Sequence, residues 1–200
     1  TSLLYALPSA ASSKELEKAA SKGKTFKDVR VEGMTPEEIL SYFYNDEVYT
    51  KDKKGFKTAF NPENMRGALT LKYDLVNAKN DRVAVPAGSK LSVAKARKLA
   101  SEGLSEIRVA SAELVGKYLS SDLVNEATGE VIASAGDEIT AEIMEAVEAA
   151  NIKEVSTLFI DNVNIGAHIR NTLALDKNKS REEALIDIYR VMRPGEPPAY

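Results

Sequence analysis

One stretch of this chain repeats itself. Leu75-Val-Asn-Ala-Lys-Asn-Asp-Arg-Val-Ala-Val-Pro-Ala-Gly-Ser-Lys-Leu-Ser92 aligns without a gap to Leu123-Val-Asn-Glu-Ala-Thr-Gly-Glu-Val-Ile-Ala-Ser-Ala-Gly-Asp-Glu-Ile-Thr140. The apolar positions stay in step beyond it, with Leu99, Leu104 and Ile107 opposite Val147, Ile152 and Val155. Each copy reads strand, tight turn, strand, Ala-Gly turn, helix, strand. Asn80-Asp81 and Thr128-Gly129 supply turn chemistry between β-prone runs, and Gly88 and Gly136 stand where a chain leaving a strand needs positive φ. Ser92 and Thr140 are placed to cap the helices. A helix this short cannot bury its apolar stripe alone, so it must lie against strands of its own or the other copy, and the two copies are expected to share a core. Such a repeat specifies architecture and is silent about chemistry.

The flanks carry their own signals. Thr35-Pro36-Glu37-Glu38 is a capping box with proline at the first helical position, and Ile39, Leu40, Tyr42 and Phe43 follow as an apolar face. Glu47 to Tyr49 and Phe56 to Phe60 bracket Lys51-Asp-Lys-Lys-Gly55, which predicts a hairpin. Pro62 starts a short helical turn. Asp161-Asn-Val-Asn-Ile-Gly166 is turn-rich and marks a boundary. Ser180-Arg-Glu-Glu183 is a second capping box, opening a helix through Ala184, Leu185, Ile188, Tyr189 and Met192 that Pro194 stops. Between Pro8 and Arg30 the composition turns to Ala, Ser, Lys and Gly, with Lys14, Lys18, Lys22, Lys24 and Lys27 spread along it; this predicts a mobile basic linker, a solvated surface segment with a short frayed helix from Lys14 to Ser21 rather than a nucleic-acid arm. Thr1 to Leu7 reads as the middle of an apolar helix, and the expectation is that both ends continue in a longer protein.

Chemistry is scarce. A chain of 200 residues with a formal charge of −3 has no field of one sign to draw nucleic acid or membrane generally, so any DNA contact must be local. Cysteine is absent, which excludes disulfides, thiolate metal sites and thiol nucleophiles. His168 is the only histidine, so a histidine-pair metal site is impossible and a Ser-His-Asp arrangement hinges on this one residue. Neither a phosphate loop nor a dinucleotide-binding glycine pattern occurs, and no Asp-rich loop has calcium spacing. Glu142, Glu145 and Glu148 fall on the polar face of a predicted helix, a solvated face rather than a pair of working carboxylates. Arg190 and Arg193 lie near a helix C-terminus, where the dipole alone explains them; a second reading presents Arg193, held at a proline-fixed helix end, to a phosphate or base edge.

Ala184-Leu-Ile-Asp-Ile-Tyr-Arg-Val-Met-Arg-Pro-Gly-Glu-Pro-Pro198 closely resembles a stretch of the bacterial RNA polymerase β-subunit family. Further segments are similar in order: Ser2-Leu-Leu-Tyr-Ala-Leu7, Thr35-Pro-Glu-Glu-Ile-Leu40, Pro62-Glu-Asn-Met-Arg-Gly67, Ala127-Thr-Gly-Glu-Val-Ile132 and Thr157-Leu-Phe159. Pro8 to Arg30 matches poorly and looks like an extra insertion. The resemblance implies an α+β segment: lobe-derived helices over residues 1–44 and 167–200, with an inserted accessory module over 45–166 whose two repeats, 75–109 and 123–157, share a mostly antiparallel β core. The lobe is one wall of the downstream DNA cleft, and the active site lies elsewhere in the enzyme. By the same resemblance Arg193 faces the non-template strand near the downstream edge of the bubble, no cofactor or metal belongs to the segment, and its setting is the cytoplasm, with no membrane partner. The implied partners are the remaining polymerase subunits, downstream and non-template-strand DNA, and secondary-channel regulators docking on the insert. The alternatives are a stand-alone protein-interaction module and a small hydrolase, which needs a pocket gathering His168 or buried carboxylates.

Overall fold

Three helices, α1 (Ser2–Ala6), α2 (Ala10–Ser21) and α3 (Pro36–Phe43), lead into a hairpin of β1 (Asp46–Asp52) and β2 (Gly55–Ala59) in the computed structural model, which describes residues 2–21, 32–64, 68–126, 128–161 and 165–197. A 3-10 turn (Pro62–Asn64) and β3 (Leu69–Thr70) follow. The first repeat comprises β4 (Leu75–Asn77), β5 (Val83–Val85), β6 (Lys90–Leu91), α4 (Val93–Ser101) and β7 (Glu106–Val109). After α5 (Ser111–Leu114), the second comprises β8 (Leu123–Val124), β9 (Val131–Ala133), α6 (Ala141–Ala149) and β10 (Glu154–Leu158). Helices α7 (His168–Leu175) and α8 (Arg181–Met192) complete the chain. The result is an α+β fold in two compact units, residues 46–158 and residues 1–45 with 159–200. The division falls after Leu158, ahead of the turn-rich Asp161–Gly166 stretch, of which residues 162–164 lie outside the described residues.

Within 46–158 the turns and helix caps of the two repeats agree hydrogen bond for hydrogen bond. Asp81 N–H donates to Asn77 O at 2.9 Å, and Gly129 N–H to Asn125 O at 2.7 Å. Ala87 N–H reaches Asp74 Oδ1 at 2.6 Å, and Ala135 N–H reaches Asp122 Oδ1 at 2.7 Å. Gly88 and Gly136 adopt φ of 77° and 88°, the left-handed turn that a Cβ would strain. Ser92 and Thr140 each accept a bond from the backbone N–H three residues on, Lys95 and Ile143, at 3.3 Å.

The hairpin joins the copies. The six-stranded antiparallel sheet runs β10-β1-β2-β7-β4-β5, so β1 and β2 lie between the last strands of the two repeats. Tyr49 stands opposite Val155 on one side and Thr58 on the other, and Phe56 opposite Val109. The shared sheet is mostly antiparallel as expected, but the apolar side chains form two clusters. One gathers Tyr49, Phe56, Leu119, Ile139, Val147 and Val155; the other holds Leu75, Val85, Leu91, Ala96 and Leu104, and Ile107 packs against both. The copies also pair differently: β4 bonds β7 in the first, whereas β8 and β9 make a separate two-stranded sheet. In the second repeat it is Tyr118–Ser120 that bonds β10, with Leu158 N–H to Tyr118 O at 2.8 Å and Ser120 N–H to Ser156 O at 3.0 Å.

The other unit overturns the linker expectation in part. Ala10–Ser21 is a helix of twelve residues, whose entry is fixed by polar bonds rather than by large apolar side chains. Ser12 Oγ accepts from Glu32 N–H at 2.9 Å, and Ser9 N–H donates to Glu32 O at 2.9 Å. Lys22, Lys24, Lys27 and Arg30 of that expectation lie outside the described residues. The Glu38 carboxylate ties α2 to α3, accepting from Ala10 N–H at 3.2 Å and, as the second half of the capping box, from Thr35 N–H at 3.1 Å. The Ser180 box is half made. Ser180 Oγ accepts from Glu183 N–H, but the Glu183 carboxylate takes Lys179 N–H instead of closing the box. Helices α1 and α8 lie together, and Arg181 Nε donates to Ala6 O at 3.2 Å.

Candidate nucleic-acid interface

Helix α8 ends in a way that fixes Arg193 in space. Arg193 N–H still donates to Tyr189 O at 2.8 Å, so the residue is anchored to the last turn while its own φ of −133° leaves the helix. Pro194 prevents continuation, and Gly195 turns the chain with φ of 92°. The Arg193 side chain is 64% exposed and meets Glu196, with Nη1 3.2 Å from Oε2; Tyr189 OH donates to the same oxygen at 3.3 Å. An exposed pair of this kind is worth little, so a phosphate could take the guanidinium from Glu196 at small cost. Val191 and Met192 beside it are exposed, and Arg190 pairs loosely with Asp187 at 3.9 Å. The helix-end position of Arg193 was legible from the sequence; its partner Glu196, three residues on, was equally visible and was missed.

No metal-ligating cluster forms around His168, which is exposed at the start of α7: among the described residues no group of three or more His, Asp or Glu side chains is placed to hold a metal ion. Two charged clusters that sequence reading did not find are instead built into the repeat unit. Lys117 Nζ lies 2.8 Å from Glu47 Oε2 and 2.5 Å from the buried Tyr49 hydroxyl. Burial, with Glu47 second, pushes the Tyr49 phenol far above its ordinary range. Arg108 pairs with Asp52 and Asp81 at 3.0 Å each, and Lys54 also bonds Asp81. The Arg108 bond holds the Asp52 carboxyl below its usual range, and the Lys54 bond does the same for Asp81. Both clusters knit strands together, the first across β1 and Lys117 and the second across β1, β7 and the β4–β5 turn.

The repeats differ most in charge. Residues 75–109 carry seven Lys and Arg against three Asp and Glu; residues 123–157 carry one against eight. At aligned positions the sign reverses outright: Arg82 against Glu130, Lys90 against Glu138, Arg97 against Glu145, all six exposed. The alignment itself contained this signal, hidden because the summed charge of the chain is small.

No protein-family model matches the chain. It is 45% identical over 166 residues to the "DNA-directed RNA polymerase subunit beta" of Rhizobium leguminosarum bv. trifolii, covering 83% of this chain and 12% of that protein. The namesake of Caulobacter vibrioides is equally similar over the same shares, and that of Gluconobacter oxydans is 42% identical over 198 residues, 99% of this chain and 14% of its own length. The chain thus spans 12–14% of the length of these curated relatives.

Proposed function

The chain belongs to the bacterial DNA-directed RNA polymerase β-subunit family, and from that premise we propose that it is a non-catalytic scaffold segment of the transcribing enzyme. In this reading the unit formed by 1–45 and 159–200 is lobe, lining the downstream DNA cleft and assembling with the remaining polymerase subunits in the cytoplasm. The module spanning 46–158 is an insert that offers regulators of the secondary channel a docking surface.

The observation that carries the lobe reading is the presentation of Arg193. Its backbone is fixed by the end of α8, its side chain is exposed, and its ion-pair partner among the described residues, Glu196, is itself 59% exposed. A guanidinium so placed makes a charge-assisted, two-pronged contact with a phosphate and positions a strand without reading its sequence. Replacing Arg193 by Ala in the full-length β subunit of assembled polymerase is expected to shorten promoter-complex lifetime several-fold. Unchanged lifetimes across several promoters remove the role.

The insert is tested by excision. Phe159 N–H donates to Asn45 O at 2.8 Å, so the chain enters and leaves residues 46–158 at adjacent points and the gap can be closed directly. Polymerase lacking Asp46–Leu158 should keep basal transcription and lose regulator response. Loss of basal transcription instead places the module in the DNA cleft. The opposed charges of the two repeats favour docking, because an insert that only filled space would need neither sign.

A further inference from the structure

We propose that the cleft between β9 and α6 in the second repeat receives an extended, lysine- or arginine-rich segment of a partner protein. This rests on the docking reading above and says where on the module, and by what chemistry, docking occurs. The cleft has a volume of about 480 Å³ and is lined by Val131, Ile132, Ala146, Ala149 and Ala150, with the polar Asn125 and Glu130 beside them. Small residues open it. In the first repeat the positions of Ala146 and Ala150 are Lys98 and Glu102, two long side chains 3.9 Å apart at their charged ends. The same backbone with alanines there leaves an apolar trough that a partner's side chain can enter.

The occupant follows from the charge around the trough. Glu142 and Glu145 lie one helical turn before Ala146 and Ala149 on the same face of α6, and both are exposed. Lys153 is the only basic residue in the repeat. A cationic segment is drawn to this rim, while the first repeat, with Arg82 and Arg97 at the places of Glu130 and Glu145, turns it away; attraction on one copy and repulsion on the other is how a surface discriminates. An extended form suits the site because, among the described residues, β9 pairs with β8 alone and has no strand on its other side.

The test uses the 200-residue chain and a dye-labelled peptide of alternating lysine and valine, with a glutamate-valine peptide as control, read by fluorescence anisotropy. Ala146→Lys with Ala150→Glu fills the trough with the first repeat's pair and leaves net charge unchanged; Glu130→Arg with Glu145→Arg reverses the rim and leaves the trough. All four positions are at least partly exposed, and circular dichroism confirms that each variant folds. Each pair of changes is expected to weaken lysine-valine binding on the order of tenfold, with the glutamate peptide unbound. Undiminished affinity in the filled-trough variant, or in the reversed-rim variant, overturns the proposal. So does concentration-dependent self-association of the chain that the peptide cannot compete away, since a second copy is then the occupant. In assembled polymerase, regulator response that survives deletion of Asp46–Leu158 removes the docking reading itself. Response lost on deletion yet unaltered by Ala146→Lys/Ala150→Glu overturns only the cleft.

Discussion

Arg108, in the last strand of the first repeat, grips Asp52 at the far end of β1 with both prongs of its guanidinium, Nη1 to Oδ1 at 3.0 Å and Nη2 to Oδ2 at 3.4 Å. The strands β1 and β7 are not neighbours, since β2 lies between them, so the contact spans a strand. Its Nε donates to Asp81 in the β4–β5 turn at 3.0 Å, and Nη2 also donates to Ala78 O at 3.4 Å. One side chain, 17% exposed, thereby ties the hairpin to the first repeat at the edge where the apolar cluster ends.

The acid limb of stability should report this clamp. Bonding to Arg108 and Lys54 holds the Asp52 and Asp81 carboxyls below their unfolded values. A depressed folded-state pKa contributes stability that is present above the unfolded value near 3.9 and lost as pH falls through the folded one. Arg108→Met should therefore lower the urea midpoint at pH 7, and the gap to the parent chain should narrow as pH falls below the unfolded carboxyl value near 3.9. A gap of constant size over that range rules out the carboxylates as its source.

Gly33 is a packing glycine. A Cβ there stands 2.3 Å from Tyr5 O and 2.9 Å from Arg181 Cβ, backbone and near-backbone atoms that cannot step aside cheaply. Gly33→Ala must push α1 away from α8, and overpacking of this kind costs about 1–3 kcal/mol. Thermal unfolding of the unit containing Tyr5 and Arg181 should move down by several degrees; an unmoved transition removes the close approach.

The helix caps of the repeat offer an internal comparison. Ser92 and Thr140 occupy aligned positions, adopt extended backbone and accept the same bond at 3.3 Å. Ser92→Ala and Thr140→Ala should each cost about 1 kcal/mol by urea unfolding, and because the caps belong to different apolar clusters the two losses should add in the double variant. A double loss well short of the sum indicates that the two copies do not hold their helices independently.

These elements were legible because their signals are local. Turn residues, caps and glycine positions act over four or five residues, so aligning Leu75–Ser92 with Leu123–Thr140 was enough to place α4 and α6. The partners of β7 and β10 were not legible, since pairing with β2 and β1 joins residues tens to over a hundred positions apart and leaves no periodic trace. Helix α2 was read only in part, as a short frayed helix from Lys14 to Ser21 within a linker, for a related reason. Its Ala- and Ser-rich sequence shows no apolar stripe, and what ties it down is Ser12 and Glu38 bonding to backbone far along the chain. Arg193 was singled out as a candidate from its motif, whereas the cleft beside Ala146 needed the folded second repeat, where small side chains matter only through what they fail to fill.

Tyr49 sets an alkaline limit. It is 2% exposed, and burial followed by the charge of Glu47 pushes its phenol far above the ordinary value near 10. The folded chain keeps the proton that the unfolded chain releases, so the linkage contributes stability that is fully present below pH 10 and lost as pH rises above it. Tyr49→Phe abolishes that linkage and also takes a partner from Lys117, whose Nζ keeps Glu47 at 2.8 Å. The variant should lose about 1 kcal/mol at pH 7 and then fall less steeply than the parent between pH 10 and 12. Tyr5, raised by burial and then by Asp176, keeps its own share of the slope in both. Urea unfolding at stepped pH measures the two limbs together, and a variant whose stability falls in parallel with the parent above pH 10 shows that the Tyr49 phenol ionises without unfolding the sheet.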